Sequence, residues 1–278
     1  MPDFVLLEED NIADFDGVIP AELVTKEGRF TIGAGDEEGN AVGAVSCTFT
    51  DFEYEIDWLY VDETVRRRGI GRALLDRVVQ IIRDSGEICP ISCYFEYNEK
   101  KPDLYHFFRK LEDFDLDYSH KRYRISQNEL NNSPILKALD GTAGSADFFF
   151  DWSESRQLSI LDFLSEECGY EVPDYDAWKE TCIPELCRCI RDDRGLRDLI
   201  FVQKTEGDTL VLSYLYGKST QGLMDLVKIT ADEAKRLFPN AEITFDTVNG
   251  AAERMAKRLF AKAEAVDIYE ASLWSFFE

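Results

Sequence analysis

The chain is poor in positive charge: 31 Lys and Arg stand against 55 Asp and Glu, a formal net charge of −24 over 278 residues. The deficit is uniform, 15 basic against 27 acidic residues through position 128 and 16 against 28 after it, so no acidic tail produces it. Such a field disfavours nucleic acid and anionic membrane as partners and favours cationic amines or basic peptides, although plain solubility or a salt-adapted host accounts for it equally well. Long apolar runs are also lacking. No stretch reaches the roughly 18 residues that span a bilayer, and Met1-Pro2-Asp3 carries no basic flank of a secretory signal, so a cytoplasmic location is expected.

Histidine is scarce, only His106 and His120, and the seven cysteines include no Cys-x-x-Cys pair. Cys182, Cys187 and Cys189 cluster with no histidine near them in sequence, so no metal is expected, and the odd number suits reduced thiols. Two phosphate loops are missing. There is no Gly-x-x-x-x-Gly-Lys-Ser/Thr, and Gly-x-Gly-x-x-Gly fails because position 74 is Leu.

What is present is a strand, a tight Arg/Gly turn and the opening of an amphipathic helix over residues 54–75. The turn, Arg66-Arg67-Arg68-Gly69-Ile70-Gly71, aims backbone N–H groups at one point with a helix dipole behind them, an arrangement suited to an anion. Gly69 and Gly71 are expected to take positive φ and let a phosphate approach, with Arg66, Arg67, Arg68 and Arg72 supplying charge.

This stretch resembles motif A of the GCN5-related N-acetyltransferase (GNAT) superfamily, whose signature is Arg/Gln-x-x-Gly-x-Gly/Ala. The resemblance implies a mixed α/β fold, a central sheet flanked by helices, in which the turn holds the pyrophosphate of acetyl-CoA. The strand before it, Leu59-Tyr60-Val61, then pairs with the pantetheine arm, and Ile70 completes the loop. Residues 91–98 resemble the next strand, ending in the family's frequent Asn at Asn98, also assigned to the cofactor, and residues 104–111 resemble the helix that follows. Residues 1–128 are read as one catalytic acetyltransferase domain.

Residues 129–146 turn polar and small and read as a linker. Residues 147–278 repeat the order of elements: a strand at 148–150, helices over 155–168 and 175–191, a hairpin of 199–202 with 209–214 across Glu206-Gly207-Asp208, and a helix at 231–238. A strand over 243–248, a helix over 252–261 and a last strand over 266–273 follow. This half resembles a second, degenerate copy of the same fold. Thr230-Ala231-Asp232-Glu233 stands where the Arg/Gly turn is expected, and two acidic residues at a helix start repel pyrophosphate, so no coenzyme A is expected there.

Strict alternation along the strand before the turn puts Glu53, Glu55, Asp57, Leu59 and Val61 on one face. The resemblance makes Glu55 the first choice of general base, through water; Asp57, two residues along the same face, is the second, although both also suit an open, solvated part of the sheet. It also makes the Val61 N–H the oxyanion donor. Where the family often carries a proton-donating Tyr this chain has Phe108, which leaves Tyr105, one turn earlier, or water. The expectation is an acetyl-CoA-dependent N-acetyltransferase acting on a small-molecule or peptide amine, its second half a scaffold that walls the acceptor pocket or forms a homodimer face. The alternatives are a non-catalytic acyl-CoA sensor and an interaction protein.

Overall fold

The computed structural model describes every residue except 1, 25–27, 51–52, 87, 140–144, 173, 193–194, 206–208, 248 and 275–278. The expected hairpin turn at 206–208 and most of the small-residue run at 141–145 lie outside the described residues. In chain order the elements are β1 (Asp3–Leu6), β2 (Arg29–Gly35), β3 (Ala41–Phe49), β4 (Tyr54–Val61), α1 (Ile70–Ser85), β5 (Ile91–Glu96), α2 (Asp103–Phe108) and β6 (Asp115–Ser126). Then come α3 (Gln127–Asn132), α4 (Pro134–Ala138), β7 (Asp147–Phe148), α5 (Glu154–Cys168), α6 (Tyr175–Thr181), β8 (Arg188–Asp192) and β9 (Gly195–Lys204). The series closes with β10 (Thr209–Gly217), α7 (Thr220–Leu237), β11 (Glu242–Thr247), α8 (Gly250–Leu259) and β12 (Glu264–Leu273). No described helix is long and apolar enough to cross a membrane.

The chain forms two compact units, residues 1–119 with 268–278, and residues 120–267. This division differs from the expected one at both ends of the second half. In the first unit β1 to β4 pair antiparallel in chain order, β4 pairs parallel with β5, and β5 pairs antiparallel with residues 268–273 of β12. α1 covers one face because Ile70, Leu74, Leu75, Val78 and Ile82 fall on one helical stripe and are buried, each contributing about 1.5–3 kcal/mol of apolar transfer. Gly86, at φ +77°, ends it. A smaller cluster of Leu7, Phe15, Val18 and Ile19, with Trp58 and Tyr60 against it, packs on the opposite face.

The second unit has the same strand order. β7, β8, β9 and β10 pair antiparallel in sequence, β10 pairs parallel with β11, and β11 pairs antiparallel with residues 121–126 of β6. Each unit is thus closed by a strand from outside its own contiguous run of chain. β6, not anticipated from sequence, closes the second, and β12 closes the first. Three more expectations change. The helix expected over 175–191 ends at Thr181, with Arg188–Asp192 a strand, since Cys187, Arg188, Cys189 and Ile190 are all buried, which suits a sheet between two layers. The strand at 148–150 is cut to Asp147–Phe148 by a turn of 3-10 helix over Phe149–Asp151. The expected linker begins as structure: Ser126 and Glu129 form a capping box for α3, Pro134 opens α4, and Leu130 and Leu136 are buried in the second unit's core.

Candidate active site

β4 and β5 part company early. Among the described residues their parallel register holds only for Tyr54 with Ile91 and Glu55 with Ser92, whereas β4 stays paired to β3 as far as Val61. The cause is a bulge in β4: Ser46 pairs with Trp58 but Cys47 with Ile56, leaving Asp57 as the additional residue. The Asp62 N–H donates to the Val42 carbonyl, so Asp62 and Tyr60 are the ladder-bonded positions. Leu59 and Val61 therefore turn their amides away from β3, into the gap left by β5. Tyr60 does not: its backbone belongs to the β3 ladder, and its ring packs on the face opposite α1.

The bulge corrects the expected side-chain pattern. Before it Tyr54 and Ile56 face the α1 core; after it Leu59 and Val61 do. Glu55, cross-strand from Thr48, lies on the opposite face and does not share one with Leu59 and Val61. Asp57 is bound into a local network: Thr48 Oγ1 donates to its Oδ2 at 2.6 Å, and the Arg29 guanidinium, nearly buried, lies 3.1 Å away. Glu55 has no such partner among the described residues. Burial pushes its carboxyl above the ordinary value, and the negative charges of Asp57 and Glu53 push it further, against Arg29.

The turn after β4 divides its residues between structure and free charge. Arg66 Nε donates to the Val61 carbonyl at 2.8 Å and its Nη1 pairs with Asp103 at 3.2 Å, fastening the turn to the strand end and to α2. Arg72 is likewise committed, bidentate to Asp113 at 2.7 Å and paired with Asp76. Arg67 and Arg68 are exposed, with no ion-pair partner among the described residues. Arg67 takes φ +64° and Gly69 φ +84°, left-handed positions that carry the chain into α1, whose first turn holds no acidic residue and no side-chain cap. Gly71 has no positive φ. Its bareness serves contact instead, since a β-carbon there would stand 3.2 Å from the Phe107 ring.

Asn98 Oδ1 accepts the Lys100 N–H, a turn that leads into α2. Tyr105, half-buried, sits in an aromatic cluster with Tyr97 and Tyr269, ring centres 5.1 and 5.0 Å away. Phe108 is wholly buried, stacked on Phe95 at 5.6 Å. Sequence reading missed Ser92, Tyr94 and Glu270. Alternation along β5 could have put Ser92 and Tyr94 on the Glu55 face, but nothing local announces that Glu270 pairs with Tyr94.

The second unit repeats this arrangement and fills it from within. β10 bulges between Leu212 and Tyr214, its parallel register with β11 is seen from Thr209 to Val211, and α7 begins at Thr220. Asp232 and Glu233 lie well inside α7, so they are not at the helix start as expected. Its true start is held by Ser219 Oγ, which accepts the Gly222 N–H, and by the carboxylate of fully buried Asp198, which accepts the Lys218 and Ser219 N–H groups at 3.1 and 3.3 Å and pairs with Arg197. The residues present do not fit a pyrophosphate: a carboxylate already takes the amides.

Residues 4–111 match the acetyltransferase (GNAT) family. That match runs from β1 through α2 and so covers most of the first unit's contiguous chain. Among solved structures, the tandem GNAT protein from the clavulanic acid biosynthesis pathway is 16% identical with a TM-score of 0.66, covering 98% of both chains. The glucosamine N-acetyltransferase region of a fungal multi-domain β-N-acetylglucosaminidase is 12% identical with a TM-score of 0.70, over 98% of this chain and 38% of that one. A GCN5-related N-acetyltransferase from Sphaerobacter thermophilus is 12% identical with a TM-score of 0.60, over 95% and 84%. At these identities the likeness is one of fold, a tandem arrangement of two GNAT units. No curated protein matches the sequence.

Proposed function

We propose that the first unit transfers an acetyl group from acetyl-CoA to a primary amine by direct attack within a ternary complex. The observation that carries this is the gap between β4 and β5, which opens just beyond Glu55 and exposes strand amides beside an Arg/Gly helix start. The residues there suit the thioester substrate. Leu59 offers its backbone groups and Val61 its N–H to the pantetheine arm and thioester, while Arg67, Arg68 and the amides of Ile70 and Gly71 offer charge and donors to the pyrophosphate. Acetyl-CoA supplies the activated acyl carbonyl.

Glu55 takes a proton from the incoming ammonium, directly or through water. Its raised affinity for protons makes it a stronger base than an ordinary carboxylate. The Val61 N–H is the donor for charge developing on the carbonyl oxygen. Tyr105 or water returns a proton to the leaving thiolate. The second unit acts as a scaffold.

The test is a thermal shift with acetyl-CoA followed by thiol release against a panel of amines. Stabilisation with turnover supports the enzyme. Stabilisation without turnover of any amine selects the second reading, an acyl-CoA sensor, which the wholly buried Phe108 in place of the family's tyrosine favours.

A further inference from the structure

We propose that the acceptor is a small polycationic amine, with one ammonium group held by Glu270 and Tyr94 while another nitrogen is presented to Glu55. This rests on the assignment of Glu55 as base.

Two rows of side chains lie on the face opposite α1. Glu55 pairs in register with Ser92 and Ser92 with Ser272; Tyr94 pairs with Glu270. Tyr94 and Glu270 thus stand directly across from each other on neighbouring strands, and the Glu270 charge raises the affinity of the Tyr94 hydroxyl for its proton. Ser92, fully buried between Glu55 and Ser272, has a hydroxyl with no hydrogen-bond partner, although a buried hydroxyl ordinarily finds one. It is an unpartnered polar group at the centre of this face.

The charge around it is one-sided. Glu53 acts on Glu55, Tyr94 and Glu270 alike, and the nearby Arg29 is spent on Asp57. Burial and this crowding raise both carboxyls and push the Tyr94 hydroxyl up to about 12, which keeps it a proton-bearing donor. Carboxylates half-withdrawn from water without a cation are costly, and a bound ammonium relieves them. Glu55 and Glu270 are two strands and two residues apart, or roughly 12 Å between backbone positions from sheet spacings. That is wide for one ammonium to bridge, and it favours a molecule carrying two. A peptide amine would need only the site at Glu55.

The experiment compares α,ω-diamines of increasing length with alkyl monoamines of matched length, by thiol release and by calorimetric binding. Wild type is expected to favour a diamine at least tenfold in kcat/KM. Glu270→Gln should raise KM for that diamine about tenfold with kcat held within twofold and leave the monoamine unchanged, and Tyr94→Phe should do the same more weakly. Retained stabilisation by acetyl-CoA checks that each variant folds, and Tyr94→Phe carries the test if Glu270→Gln does not. Equal use of mono- and diamines, an unchanged KM in a folded variant, or acetylation confined to a basic peptide that diamines do not inhibit would overturn the proposal. If no amine is turned over, the enzyme reading fails and calorimetry decides alone: diamine binding lost in the variants supports this site, and no binding by wild type overturns it.

Discussion

Asp198 and Gly222 are made for each other: a β-carbon at position 222 would stand 1.9 Å from the Asp198 Oδ2, so glycine there is what lets the carboxylate reach the first turn of α7. The second unit keeps the strand, turn and helix of an anion cradle and supplies the anion from its own β9.

One acyl-CoA per chain is the expected stoichiometry. Calorimetric titration with coenzyme A should give one site, and a first-unit variant that loses it should show no residual binding. Asp198→Asn should cost about 1–3 kcal/mol, because Arg197 and two backbone donors lose a buried charged acceptor. Denaturant melts read that loss.

Glu55→Gln should lower turnover about 10²–10⁴-fold while the thermal shift with acetyl-CoA persists. A second readout has a definite sign. The folded protein holds the Glu55 proton to higher pH than the unfolded chain, so ionisation carries no penalty below the ordinary value of 4.5 and destabilises the fold as pH rises through the raised one. The variant should therefore melt higher than wild type at neutral pH and equal to it near pH 4. A melting difference independent of pH would remove Glu55 from this role.

Arg67→Ala and Arg68→Ala should each weaken coenzyme A binding by about 1.5–3 kcal/mol, more at low salt, with little change in stability. Arg72→Ala should do the reverse. Its guanidinium is engaged with Asp113 and Asp76, so its loss is read in melting and hardly in affinity.

Gly69→Ala and Gly71→Ala separate two uses of glycine. At 69 there is space but φ is +84°, so alanine costs about 1–2 kcal/mol of backbone strain. At 71 the backbone is ordinary, and the added carbon presses on Phe107, so the change should appear as a shift of α1 against α2, seen in the Phe107 aromatic resonances.

Local chemistry was readable from the residues alone. The Arg/Gly turn, the strand before it and the amphipathic helix after it all follow from short-range spacing and turn chemistry. Three features escaped because their causes lie elsewhere in the chain. The bulge at Asp57 reversed the face of Glu55, and only the register with β3 reveals it. Arg66 and Arg72 look like phosphate ligands until Asp103 and Asp113 come to meet them. Glu270 comes beside Tyr94 through a pairing between residues more than a hundred positions apart, which no periodicity encodes.

The exchange of closing strands sets a timetable for birth of the protein. A ribosome that has delivered β1 to β5 has made the Arg/Gly turn and Glu55 but left β5 with a bare edge. The proposed site lacks its closing strand until translation passes residue 273, so the earlier-made unit is the later one to mature.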